Sequence, residues 1–186
     1  MFQGYRKIFW GLFFSTFHIN YGPFPILPAF VGWLIIASGV KALRESNETG
    51  SFHKAHYTAL AVAVLTFIGF YVTSTGVSYD LQKYQAIVVE ILVFIFVYYL
   101  LKGSIECLRA CGIDSTAAYY ERVLSIYMII FSINTVFLCI ALAGGNPGLT
   151  FFTAVFGLFL MIWLMLISSR LRKMEDVSYQ RHKLQK

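Results

Sequence analysis

The apolar residues of this chain come in long blocks separated by short polar connections, not in the spaced pattern of half-buried strands or surface helices. Blocks of this length predict helices whose solvent is lipid. The first runs from about Tyr5 to Ile19 and is closed by Asn20-Tyr21-Gly22-Pro23-Phe24-Pro25-Ile26-Leu27-Pro28, where three prolines and a glycine interrupt helix. The second runs from about Leu27 or Ala29 to Leu43, the third from Tyr57 to about Thr73, and the fourth from Tyr84 to Leu101. The fifth covers about Val123 to Ala143 and the sixth Leu149 to Ser168.

The first two blocks reach only ~22–25 Å as helix, whereas a bilayer core of ~30 Å wants about 20 residues. They form either two short spans or a re-entrant hairpin, and two spans are the expectation. The members of each pair are joined by tight connections: the Gly22–Pro28 loop, Ser74–Lys83, and the turn Gly144-Gly145-Asn146-Pro147-Gly148. The expected fold is therefore all-α, a polytopic transmembrane helical bundle of six segments arranged as three hairpins. No sequence repeat relates the hairpins. Residues 1–171 form a single transmembrane domain, and 172–186 a basic cytoplasmic tail, helical near the membrane and frayed beyond it.

Two local features refine the boundaries. Arg6 and Lys7 precede the apolar run Ile8 to Phe17 as in a signal peptide, but His18, Ile19, Asn20 and Tyr21 supply no small-x-small cleavage site. An uncleaved first helix is expected. Segment four is expected to continue through Ile105, Leu108 and Cys111, with Gly112 as its C-cap. Asp114 or Ser115 would then cap the next helix, which enters the membrane through Tyr119 and Tyr120.

Composition agrees with the pattern. A soluble domain is about 45–50% apolar and about 25% charged; this chain is 58% hydrophobic and 13% charged, with 18 Phe and 12 Tyr. The net charge of +6 does not indicate nucleic acid, because the Lys and Arg sit in short clusters at the ends of apolar blocks. All of them except Lys83 fall on one side: Arg6 and Lys7, then Lys41, Arg44 and Lys54, then Lys102, Arg109 and Arg122, and then the tail from Arg170 onward. By the positive-inside rule that side is cytoplasmic, and so are both termini. The tail is also suited to anionic lipid in a generic way.

The opening GYRKIFWGLFF, followed by ILPAFVGWLIIASGVKAL, resembles uncharacterised small multi-pass membrane proteins of spore-forming and related Gram-positive bacteria. The resemblance rests on a basic-aromatic first helix and an I-L-P-x-h-h-G-[YW] turn into the second, over about the first 45 residues. It implies the bacterial cytoplasmic membrane as location. It carries no activity and no functional residue.

Candidate chemistry narrows to one carboxyl. Glu90 lies in the apolar run Ala86 to Phe94, where an ionisable residue costs at least a few kcal/mol. Its own helix offers no partner at Ala86, Ile87, Val93 or Phe94, so another helix, water or a proton must satisfy it. At ~9 Å from the outer end of its segment it shares a depth with Asn134 at ~14 Å and Thr66 at ~10 Å, while His18 and Asn20 close the first segment on the same side. This layer either holds the bundle together through interhelical hydrogen bonds or offers a carboxylate to a cation or proton in a cavity open to the outside, unless segment four is placed so that Glu90 lies near the headgroups.

Other residues carry less. Cys107, Cys111 and Cys139 make no disulfide framework, and the CxxxC pair lacks the ligands of a zinc site. His53 and His56 read as an ordinary juxtamembrane pair, and Trp10, Trp33 and Trp163 as mostly lipid-facing and interfacial surface. The Gly22–Pro28 turn reads as a rigid outer turn, or as a pore-lining element if it lies at depth. No HExxH, GxSxG, Walker or paired-carboxylate pattern is present. No metal or cofactor is expected. The expected function is a non-enzymatic accessory or regulatory protein, or a small-solute or ion-handling bundle, alone, as a homo-oligomer or within a larger membrane complex. A membrane-embedded enzyme acting on a lipid or isoprenoid substrate is the alternative.

Overall fold

The computed structural model describes residues 3–17, 20–21, 24–25, 28–47, 49–74 and 79–184, with side chains for 3–17, 28–47, 49–72 and 82–173. Among the described residues there are six helices: α1 Gln3–Thr16, α2 Ala29–Ser46, α3 Gly50–Ser74, α4 Tyr79–Ala110, α5 Asp114–Gly144 and α6 Pro147–Leu184. A two-residue antiparallel ladder, β1 Asn20–Tyr21 with β2 Phe24–Pro25, lies between α1 and α2. Of the expected Gly22–Pro28 turn, Gly22, Pro23, Ile26 and Leu27 lie outside the described residues, and Pro28 is the N-cap of α2.

Four helices, α3 to α6, are long and apolar enough to cross a membrane. At 14 and 18 residues, α1 and α2 are the short pair the pattern predicts. Helices α4 and α5 run well past the apolar blocks, because Lys102–Ala110 and Asp114–Arg122 hold no proline and the one glycine there, Gly103, sits inside the helix with Phe52 of α3 packed against it.

The ends of the helices follow local chemistry. Gly112 adopts φ 72°, its N–H donates to Arg109 O, and the Ile113 N–H donates to Leu108 O, which together close α4 as a Schellman motif. The expected cap of α5 is corrected: Ile113 occupies the N-cap without a side-chain bond, and Asp114 is the first helical residue, where its charge faces the helix dipole. Gly145 turns α5 with φ 62°, and the Asn146 side chain then accepts the Leu149 N–H at 3.1 Å to start α6, with Pro147 at its first position.

Consecutive helices pack on one another throughout, and α6 returns to α1, so the six close into a ring. Its tightest seam is α1 against α2. Gly4 and Gly11 lie seven residues apart on one face of α1, and Gly32 and Gly39 match them antiparallel on α2. A Cβ at Gly11 would come 2.7 Å from Gly32 O, and one at Gly39 would come 2.7 Å from Gly4 O. Bare glycine backbones therefore meet directly, the arrangement by which small residues join helices where lipid gives no hydrophobic drive.

The core lies towards one end of the ring. Ile8 and Leu12 of α1, Ile36 and Val40 of α2, Phe52 and Val62 of α3, Phe96 and Leu100 of α4, Tyr127 of α5 and Leu164 of α6 are all fully buried. Trp33 corrects its expected surface role, being buried and packed edge-on against Phe96. Trp10 is 48% exposed, as a lipid-facing residue is expected to be. The Tyr5 hydroxyl donates to Ser104 Oγ at 2.7 Å across the ring, joining α1 to the far end of α4.

This end also gathers the basic residues. Lys7 reaches Ser38 on α2, Arg44 meets His53 at the α2–α3 junction, Ser51 donates to Glu106, and Arg109 pairs with Glu121 at 2.6 Å. Those contacts bring the starts of α1, α3 and α5 together with the ends of α2 and α4. At the other end α3, α5 and α6 present Phe67, Tyr71, Ile140, Phe151 and Phe152 outward, each with large exposure.

Candidate functional site

The buried stripe of α4 is Val93, Phe96, Val97, Leu100 and Ser104. Glu90 continues it at the three- and seven-residue spacing that keeps side chains on one helix face. It therefore aims toward the bundle, at the level where the apolar core ends, and is half-buried. On α5 the buried stripe Tyr127, Phe131, Asn134 follows the same spacing. One turn inside Glu90, the rings of Phe94 and Phe131 pack at 5.6 Å and bring α4 and α5 together.

That packing carries Glu90 to Asn134. The Asn134 side chain is 4% exposed and is the polar neighbour facing the Glu90 carboxyl across the seam, in reach of a hydrogen bond to it. A third helix closes the place from behind. The Asn134 Nδ2 atom sits over Gly157 of α6, 3.6 Å from where a Cβ there would stand, so a side chain at 157 beyond alanine would press on the amide. Tyr127 lies two turns from Asn134 on α5, within electrostatic reach of Glu90, and its buried hydroxyl donates to Leu160 O at 3.1 Å. Carboxyl, amide and phenol thus come from two helices, and the amide and the phenol rest on the backbone of a third.

The partner of Glu90 is neutral, and this governs its chemistry. A carboxylate can accept the Asn134 N–H, and a protonated carboxyl can donate to the Asn134 carbonyl oxygen, so the pair has a bonded form in either state. A small hard cation could also take oxygens from both. A lysine or arginine partner would hold the carboxylate permanently charged. A buried apolar setting would hold it protonated.

The other sequence candidates fall elsewhere. The Thr66 hydroxyl donates to Val62 O at 2.7 Å and Ala63 O at 3.0 Å, within its own helix. His18 lies outside the described residues, and Asn20 is described only through its backbone ladder with Pro25. His56 bonds Ala37 O and His53 meets Arg44, as juxtamembrane residues would. Cys107 donates to Asn47 Oδ1, and no metal-holding group of His, Cys, Asp or Glu occurs among the described residues.

Sequence reasoning missed Tyr127 and Gly157, since a tyrosine and a glycine in apolar helices carry no signal until the helices are paired. It also missed Gln85, whose amide donates to Leu65 O at 2.7 Å across the α3–α4 seam over Gly69. Only that last one left a trace: Gln85 is a polar residue one turn outside Glu90. Comparison with known protein families, with curated proteins and with solved structures finds no match to this chain.

Proposed function

We propose that this is an ion-handling protein of a bacterial cytoplasmic membrane, a non-enzymatic six-segment bundle with both termini in the cytoplasm, which exchanges a proton or small cation at Glu90. The observation that carries the reading is the pairing of an intramembrane carboxyl with a neutral amide. An ionisable group in a span is expensive to keep and is retained most often where an ion or proton moves. If bundle cohesion were its only role, glutamine at position 90 would supply the same hydrogen bonds to Asn134 without a charge to bury.

The orientation rests on the clustering of basic residues at one end of the ring, which the positive-inside rule assigns to the cytoplasm. Glu90 then lies in the outer half of the bundle.

The test is proton or cation flux into liposomes holding the purified full chain and a trapped indicator dye. The wild type should carry flux above that of protein-free liposomes, and Glu90→Gln should abolish it while the thermal unfolding curve in detergent stays in place. Equal flux in wild type and Glu90→Gln, or none in the wild type under proton, sodium and potassium gradients, would refute the reading.

A further inference from the structure

Away from Glu90, at the basic end, α5 and α6 part to leave a cleft of about 200 Å³. Tyr119 and Tyr120 line it from α5, and Trp163, Leu166 and Arg170 from α6. The α6 residues recur at three- and four-residue spacing, so they form one stripe along the helix facing the gap. Two observations point to what fills it.

The first is the Tyr120 hydroxyl. Tyr120 is 3% exposed, and its hydroxyl is buried with no hydrogen-bond partner among the described residues. Such a group costs free energy unless something bonds it. The second is charge. Among the described residues, Arg170 is the one charged group lining the cleft and no carboxylate lines it, and Arg170 lies within electrostatic reach of the Tyr120 phenol. The occupant should therefore bring an anionic oxygen that accepts from the guanidinium and, once the phenol turns toward the cleft, from its hydroxyl. Arg170 suits a phosphate, whose oxygens match its planar fork of donors.

The position identifies the source of the phosphate. Tyr119 and Leu166 are more than half exposed, and Trp163 lies within the apolar block of α6 while Arg170 lies just beyond it. Tyrosine and tryptophan at such a boundary mark the headgroup level of a bilayer. A phosphate held between Arg170 and Tyr120 would have glycerol and acyl chains descending past Trp163 and Leu166.

We propose that the α5–α6 cleft is a specific site for an anionic phospholipid in the leaflet at the basic end, with Arg170 and the Tyr120 hydroxyl binding its phosphate. This does not depend on the role of Glu90.

Trp163 provides the readout. In the full chain carrying Trp10→Phe and Trp33→Phe, the remaining indole fluorescence is quenched by brominated phospholipid in reconstituted vesicles. At equal mole fraction, brominated phosphatidylglycerol should quench more strongly than brominated phosphatidylcholine, with an apparent preference of about fivefold, the contribution of one basic residue at a membrane surface. Arg170→Gln, a substitution at an exposed position, should remove most of that preference, and Arg170→Lys should keep part of it. Tyr120→Phe should lower it with fold retained. An unchanged preference in Arg170→Gln would overturn the proposal. So would a Tyr120→Phe protein that is more stable yet keeps the full preference, since the hydroxyl would then be an unrelieved cost. Loss of the preference on adding inorganic phosphate, with ionic strength held constant, would assign the site to free phosphate and overturn the lipid source.

Discussion

Glu90 and Asn134 show how a single residue acquires meaning inside a membrane. Either side chain alone would be a cost to an apolar helix, and the two face one another across the α4–α5 seam. The amide prediction follows from what each substitution leaves behind. Glu90→Gln keeps donor and acceptor capacity, so detergent-solubilised protein should unfold within about 1 kcal/mol of wild type. Glu90→Leu leaves the Asn134 amide buried without a partner and should cost more, on the order of 1–3 kcal/mol. Thermal or denaturant unfolding of the two variants checks this, and the opposite ranking would remove Asn134 as the partner. The carboxyl was legible in the sequence because a charge inside an apolar run stands out, and Asn134 was legible by depth. Tyr127 and Gly157 were not, because nothing in their own neighbourhood distinguishes them from packing residues.

At the scale of elements, α1 and α2 depend on glycine as the longer helices do not. Both are short, and they meet through Gly4, Gly11, Gly32 and Gly39, with backbone carbonyls where side chains would otherwise stand. Gly32→Val would drive a side chain into the Ser15 N and Gly11 O atoms, 2.6 and 2.7 Å from the new Cβ. Overpacking of this kind typically costs 1–3 kcal/mol, so a loss of about that size, or expulsion of α1 from the bundle, is expected. Gly50→Ala has nothing within 4 Å of its new Cβ and serves as the control, with no measurable loss. Unfolding curves of both variants, with protease sensitivity of α1, test the seam. The helices themselves were readable from hydropathy to within a few residues. The junction of α4 and α5 around Gly112 and Asp114 was readable too, but the early starts of α3 at Gly50 and α4 at Tyr79 were not, since polar helix formers continue a helix that lipid no longer requires.

The whole molecule is a closed ring with a packed basic end, and its orientation is the property that labelling can read. With Cys107, Cys111 and Cys139 replaced by serine, a single cysteine at Asn146 should react with a membrane-impermeant reagent applied outside intact cells. One at Gly50 or Gly112 should react only after permeabilisation. Labelling of Gly50 from outside would reverse the orientation and move Glu90 to the inner half. A cysteine at Phe24 should label from outside if α1 and α2 both span, and stay protected from both sides if they form a re-entrant pair.

Membrane residence, helix number and the grouping of charge are properties of the chain order alone. Each depends on the local density of apolar and basic residues, which lipid and water sort without regard to tertiary contacts. The turns at Gly112 and Gly145 belong with them, because a left-handed backbone selects glycine locally. Which helix faces which, and hence which amide meets Glu90 and which cleft leaves Tyr120 unpartnered, depended on packing. Apolar helices of this kind have nearly uniform surfaces in lipid, so rotation and pairing are set by small steric matches such as Gly11 on Gly32, Phe94 on Phe131 and Trp33 on Phe96. Those matches join residues far apart in the chain, and no local pattern announces them.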